Sequence, residues 1–138
     1  MKLDKKFREK YADFIKGLEL HSIQLIKCSM EKDEEFKPTG VELTLNEETS
    51  YKKTEEGFAA YISFFLLAER NNGEKFAINA SYKVHYRTSV SITKKMFEIF
   101  AKSTLILHIW PYFRQLVHDL TVRAGLPPLV LPIIKMIK

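Results

Sequence analysis

Apolar positions along this 138-residue chain change their period twice, from helical to alternating and back. Leu3, Phe7, Tyr11, Phe14 and Leu18 recur every three or four residues. That stripe predicts an amphipathic helix over about Leu3 to Gly17, too short to stand alone in water and so docked on something larger. From Leu18 the period falls to two. Leu18 and Leu20 alternate with polar residues, Ile23 and Leu25 do so in a shifted phase, and Cys28 and Met30 follow. A phase slip within one strand predicts a bulge, because each register step turns every side chain to the other face.

Glu31 to Gly40 is charged and holds Pro38, which reads as a loop. Val41, Leu43 and Leu45 alternate with Glu42 and Thr44, and the polar stretch Asn46 to Gly57 reads as a mobile connection. Phe58 to Leu67 is apolar on both faces, which predicts a central strand covered on both sides. Asn71-Asn72-Gly73 predicts a tight hairpin turn at positive φ. In the next strand Phe76, Ile78, Ala80, Tyr82, Val84 and Tyr86 alternate with Asn79, Ser81, Lys83, His85 and Arg87.

After Ser91 or Thr93, either of which can cap a helix, Met96, Phe97, Phe100 and Leu105 mark a buried helical face. Pro111 should kink that helix or restart it, since proline brings no N–H. The helix stops at Arg123-Ala124-Gly125 and gives way to the extended segment Leu126-Pro127-Pro128-Leu129-Val130-Leu131-Pro132. The expected class is α+β: a four-stranded antiparallel meander with a long C-terminal helix on one face and an N-terminal helix besides. One domain spans residues 1–138, divided as N-terminal helix (1–17), sheet (18–90), broken helix (93–125) and extended apolar segment (126–138).

Composition changes this picture little. Hydrophobic residues at 46% and charged residues at 28% suit a globular protein, and the net charge of +5 is spread along the chain. Nothing approaches the roughly 20 apolar residues of a membrane span. The N-terminus lacks the apolar core of a secretory signal, and one cysteine excludes an internal disulfide, so a cytoplasmic location is expected. The chemistry is sparse. His21, His85, His108 and His118 include no i, i+4 pair, no CxxC or HExxH occurs, and no glycine-rich phosphate loop is present. His118 and Asp119 are sequence neighbours, which on a helix point about 100° apart. No catalytic residue, metal or cofactor is expected. What remains is surplus apolar surface: the second face of Phe58 to Leu67, the Trp110/Tyr112/Phe113 cluster and the proline-rich tail. Most of it suits core or subunit interface. An aromatic cluster at a helix break beside an extended apolar segment also describes a groove for apolar polypeptide.

These residues carry a resemblance. Trp110-Pro111-Tyr112-x-Arg114 resembles the aromatic-Pro-Tyr-x-Arg of the SecB family of protein-export chaperones. Arg123 and Leu126-Pro127-x-Leu129-x-Leu131 follow at that family's spacing. Leu18-x-Leu20-x-x-Ile23 with Ser29-x-Glu31 is similar to its first strand, and Val41-Glu42-Leu43-Thr44-Leu45 to its second. The resemblance implies an ATP-independent holdase, assembled as a dimer of dimers, that keeps unfolded or precursor polypeptides soluble in a hydrophobic groove. Carried over by position, the peptide-binding residues are Val41, Leu43, Leu45, Phe76, Trp110, Tyr112, Leu126, Leu129 and Leu131. Ile78, Ala80 and Tyr82 stand at positions of subunit assembly.

The departures are equally specific. Export members are acidic and dock the SecA motor through acidic residues on the open sheet. At the matching positions this chain has Lys27, Ala77 and Asn79, and retains only Glu31. The family's second helix and acidic tail have no counterpart after Leu131. A dedicated client, such as the antitoxin guarded by some members, fits these differences better than the SecA motor. Two other classes stay open: a basic nucleic-acid-binding domain, which needs Lys27, Lys83 and Arg87 on one surface, and a small apolar-ligand protein with a cavity between sheet and helix.

Overall fold

A computed structural model describes residues 4–132, so Leu3 and the part of the apolar tail beyond Pro132 lie outside the described residues. Helix α1 spans Lys5–Lys16, with the Asp4 carboxylate accepting the Phe7 N–H at 2.7 Å as its N-cap. Its stripe docks through Phe14, which is fully buried between Phe58 and Phe100, at ring distances of 5.9 and 5.7 Å. The N-terminal helix therefore caps one end of the core.

Four strands follow: β1 (Glu19–Lys32), β2 (Val41–Lys53), β3 (Gly57–Arg70) and β4 (Lys75–Arg87). They form one antiparallel sheet in the order β1-β4-β3-β2. Only β2, β3 and β4 form a meander. β1 pairs with β4 at the far edge, so the connection from β1 to β2 crosses the end of the sheet in the Greek-key manner. Two register shifts interrupt β1, between Leu20 and Ser22 and between Leu25 and Lys27, where the phase of the apolar residues slips.

The boundaries of β1 and β2 differ from expectation. β1 continues through Lys32, leaving residues 33–40 as the loop, and Phe36 of that loop is buried 6.0 Å from Phe76. Asn46 to Lys53 is not a loop at all but the second half of β2, paired residue by residue with β3 as far as Lys53 opposite Phe58. Its composition misleads because an edge strand solvated on both faces can be polar and still complete its backbone ladder. Tyr51 alone packs inward there, 4.6 Å from Phe97.

β3 is central, as its apolar run implies, but its two faces are not equal. Phe58, Ala60, Ile62, Phe64 and Leu66 are buried beneath the helices, whereas Tyr61, Phe65 and Leu67 on the other face are only half-buried. The expected cover on both sides is thus present on one. The β3–β4 turn has three residues, closed by the Arg70 N–H on the Glu74 carbonyl and the Gly73 N–H on the Arg70 carbonyl. Only Gly73 takes positive φ, 89°, and Asn72 instead accepts the Glu74 N–H with its side chain.

The C-terminal helix runs as α2 (Lys94–Phe100), one π turn (Ala101–Leu105) and α3 (Ile106–Arg123). The Thr93 hydroxyl accepts the Met96 N–H as its N-cap. Pro111 does not restart it, since α3 passes through that position, and the irregular turn lies upstream. There the Ile106 N–H reaches back to Ala101, and the Ser103 hydroxyl donates to the Ile99 carbonyl at 2.7 Å. Ala101, Leu105, Ile109, Phe113, Val117 and Thr121 form a buried ridge at every fourth residue. Phe113 stacks on Phe64 at 4.2 Å, and Tyr86 meets Phe100 edge-on at 5.0 Å. The helix ends in a Schellman motif. The Gly125 and Leu126 N–H groups bond the Val122 and Thr121 carbonyls, with Gly125 at φ 78°.

Candidate functional site: an apolar cavity under the C-terminal strap

After Gly125 the chain turns back along α3 as an extended strap, Leu126 to Pro132. Between the strap, the start of β2 and the 33–40 loop lies a cavity of about 250 Å³. Five of the sequence-predicted residues line it: Val41 and Leu43 from β2, Phe76 from β4, and Leu126 and Leu129 from the strap. They converge because β2 and β4 both flank β3 and the Schellman turn aims the strap at that end of the sheet. Phe36 and Pro38 complete the wall from the loop. Sequence reading passed over both, although a lone aromatic followed two residues later by proline inside a charged loop is an available signal. Leu45 is two residues along β2 from Leu43, and both are large apolar side chains left exposed, at 40% and 46%.

The other predicted residues lie elsewhere. Trp110 and Leu131 are buried, and each helps to fix the strap. The Trp110 Nε1–H donates to the Pro132 carbonyl at 2.7 Å, and the Arg114 Nε–H donates to the Leu131 carbonyl at 2.6 Å. The buried Thr121 hydroxyl accepts the Leu129 N–H at 3.0 Å. Tyr112 is 53% exposed on the opposite flank of α3. There it lines a separate, more open cavity of about 460 Å³ with Leu25, Tyr82 and Leu116. Burial pushes the Tyr82 hydroxyl up to about 12. The single groove expected from the sequence is therefore two apolar sites, one beside each edge strand. A third hollow of about 700 Å³ continues along β2 past Tyr51, Phe97 and Lys102.

Ile78, Ala80 and Tyr82 were expected at a subunit interface. Their side chains are buried inside the chain beneath α3, at 0%, 1% and 3% exposure. The accessible positions of β4 are the alternate ones, Ala77, Asn79, Ser81 and Lys83. Glu31 pairs with Ala77 and Lys27 with Ser81, so Lys27, Glu31, Ala77 and Asn79 share the open face of the sheet. Lys83 lies over the Tyr61 ring at 5.9 Å, while Arg87 is held by Glu56 at 3.0 Å. Lys27 and Lys83 share a face, but Arg87 is engaged elsewhere, so the three do not form a free basic surface.

His118 Nδ1 and Asp119 stand 3.7 Å apart, too far for a hydrogen bond, and Asp119 accepts from Gln115 at 2.9 Å instead. His108 shares a 2.7 Å hydrogen bond with the Tyr86 hydroxyl, and burial pushes its imidazole below the usual value. Among the described residues no group of three or more His, Cys, Asp or Glu gathers as metal ligands. No described helix is long and apolar enough to cross a membrane.

No protein-family model matches the chain, and no curated protein sequence matches it. Solved structures do. The SecB-like chaperone of Mycobacterium tuberculosis, in complex with a ChAD peptide from the HigA1 antitoxin, superimposes with a TM-score of 0.83. That match is 21% identical and covers 94% of this chain and 99% of the other. A protein of unknown function from Streptococcus agalactiae overlaps at a TM-score of 0.41 and 9% identity, over 83% of this chain and 96% of that one, too distant to inform the comparison. That superposition, over nearly the whole length of both chains, gives this chain the SecB-like fold.

Proposed function

We propose that this protein is an ATP-independent holdase that binds apolar segments of a non-native polypeptide along β2 and beneath the strap. The observation that carries the reading is the convergence of Val41, Leu43, Phe76, Leu126 and Leu129 on one apolar cavity, from three separate stretches of sequence. Exposed Leu43 and Leu45 extend that surface along the edge of the sheet. Apolar walls bind many side chains weakly, and several such sites on one oligomer would add avidity. The dimer of dimers implied by the family resemblance would supply them. With Ile78, Ala80 and Tyr82 committed to the core, its contacts would fall on other surfaces, such as the Tyr112 patch.

The structural neighbour was solved with an antitoxin peptide, which supports a dedicated client of that kind here. Docking on SecA is not part of the proposal, because three of the four corresponding open-face positions are Lys27, Ala77 and Asn79. The test is suppression of aggregation of an unfolded model protein, without nucleotide, over a salt series. Protection at near-equimolar ratios that persists at high salt is the expected result. Protection lost with modest salt would assign the binding to charge and overturn the groove.

A further inference from the structure

The strap lies on the protein as a bound apolar peptide would. Three groups of α3 hold it, and each reads its main chain: Thr121 the Leu129 N–H, Arg114 the Leu131 carbonyl, and Trp110 the Pro132 carbonyl. No strap side chain takes part in these bonds. Its side chains alternate, with Leu129 and Leu131 inward and Val130 outward and 60% exposed. Leu131 is the one buried side chain of the strap, Leu126 and Leu129 are half-buried against the core, and Pro127, Pro128, Val130 and Pro132 are exposed, so only part of the segment's apolar surface secures it. Segments with few buried contacts open at low free-energy cost.

We propose that the strap is an intramolecular stand-in for client. It occupies a main-chain clamp formed by Trp110, Arg114 and Thr121, and an extended polypeptide with apolar residues at alternate positions binds there by displacing it. A clamp that reads backbone accepts any such segment, so the strap sets a threshold that only a well-matched segment crosses. Apparent affinity is then reduced by the small fraction of molecules with the strap released. The identity of the displacing partner rests on the holdase reading above, but the opening of the strap does not.

Two variants loosen the strap. Leu131→Ala removes the strap's one buried side chain and leaves Trp110, Arg114 and Thr121 untouched. A Pro127→Ala/Pro128→Ala double variant leaves α3 untouched and adds freedom to the released segment. Trp110 is the only tryptophan and is 7% exposed, so its emission reports release. Without any client, both variants should show red-shifted emission and faster proteolysis within the strap. Both should also bind a fluorescein-labelled peptide of the strap's own sequence, Gly125 to Pro132, about fivefold more tightly than the parent does. Weaker peptide binding by the loosened variants would make the strap a fixed wall and overturn the proposal. Unchanged emission and proteolysis in both would overturn it as well. If the loosened variants behave as expected but an unfolded model protein fails to compete with the peptide, the holdase reading falls while the clamp stands.

Discussion

Leu43 offers the sharpest separation of binding from folding. Its side chain faces the helix side of β2 but is 46% exposed, so the fold has already left about half of it in water. Full burial of a leucine side chain is worth about 1.5–3 kcal/mol, and a client covering the remaining half gains about 1 kcal/mol from it. Leu43→Ala should therefore weaken client binding by about fivefold. Leu43→Asp should cost more, roughly thirtyfold or greater, because a carboxylate must also leave water for an apolar cavity. Leu43→Ala should lower unfolding stability by no more than about 1.5 kcal/mol, the worth of the half the fold buries. The matching control is Leu67→Asp, a half-buried leucine on the opposite face of the adjacent strand. Fluorescence anisotropy with a labelled unfolded client reads affinity, and denaturant unfolding reads stability. Leu43→Asp binding as tightly as the parent, or Leu67→Asp losing as much, would refute the placement of the site.

Other outcomes follow from the same geometry. Tyr112→Ala should leave binding at the Leu43 cavity intact and change either subunit association or a second client contact, read by sedimentation and by the same anisotropy assay, because Tyr112 lies across α3. Phe113→Ala removes the ring stacked on Phe64 and should cost about 3–5 kcal/mol in denaturant unfolding. A Cβ at Gly57 would stand 2.3 Å from the Tyr86 carbonyl, so Gly57→Ala should destabilise by about 1–3 kcal/mol despite ordinary backbone angles. His108 favours its neutral form in the folded state, so the unfolded chain binds more protons as the pH falls. Its contribution is complete above the ordinary imidazole value of about 6.5 and is eroded below it, and His108→Gln should remove that part of the acid sensitivity measured by thermal unfolding.

Local rules reached further into this chain than tertiary ones. The first bulge of β1 is visible as the slip between Leu20 and Ile23, and the second, between Leu25 and Lys27, as the step from Leu25 to Cys28, because side-chain alternation records register directly. Gly125 marks the helix stop because its Schellman turn needs positive φ. The second half of β2 is invisible for the opposite reason: Glu47, Glu48, Lys52 and Lys53 are held by main-chain bonds to β3, which side-chain polarity does not encode. Strand order is invisible too, since nothing in β1 itself distinguishes β4 from β2 as its neighbour. At the site, Val41, Leu43 and Phe76 were legible as inward positions of their strands. Trp110 and Tyr112 were grouped by their nearness in sequence, yet two residues on a helix point about 200° apart, and one turns into the strap while the other faces the far cavity. Thr121, a polar residue in a buried ridge, gave no signal of its role until the strap lay beside it.

Site-specific photocrosslinking tests the central claim most directly. A photoreactive residue at position 43 and another at position 67 would each be irradiated with an unfolded model client, without nucleotide and at high salt. Capture of client from position 43, with none from position 67, is the predicted result. Equal capture from both positions, or capture from position 67 alone, would contradict a polypeptide-binding cavity beneath the strap.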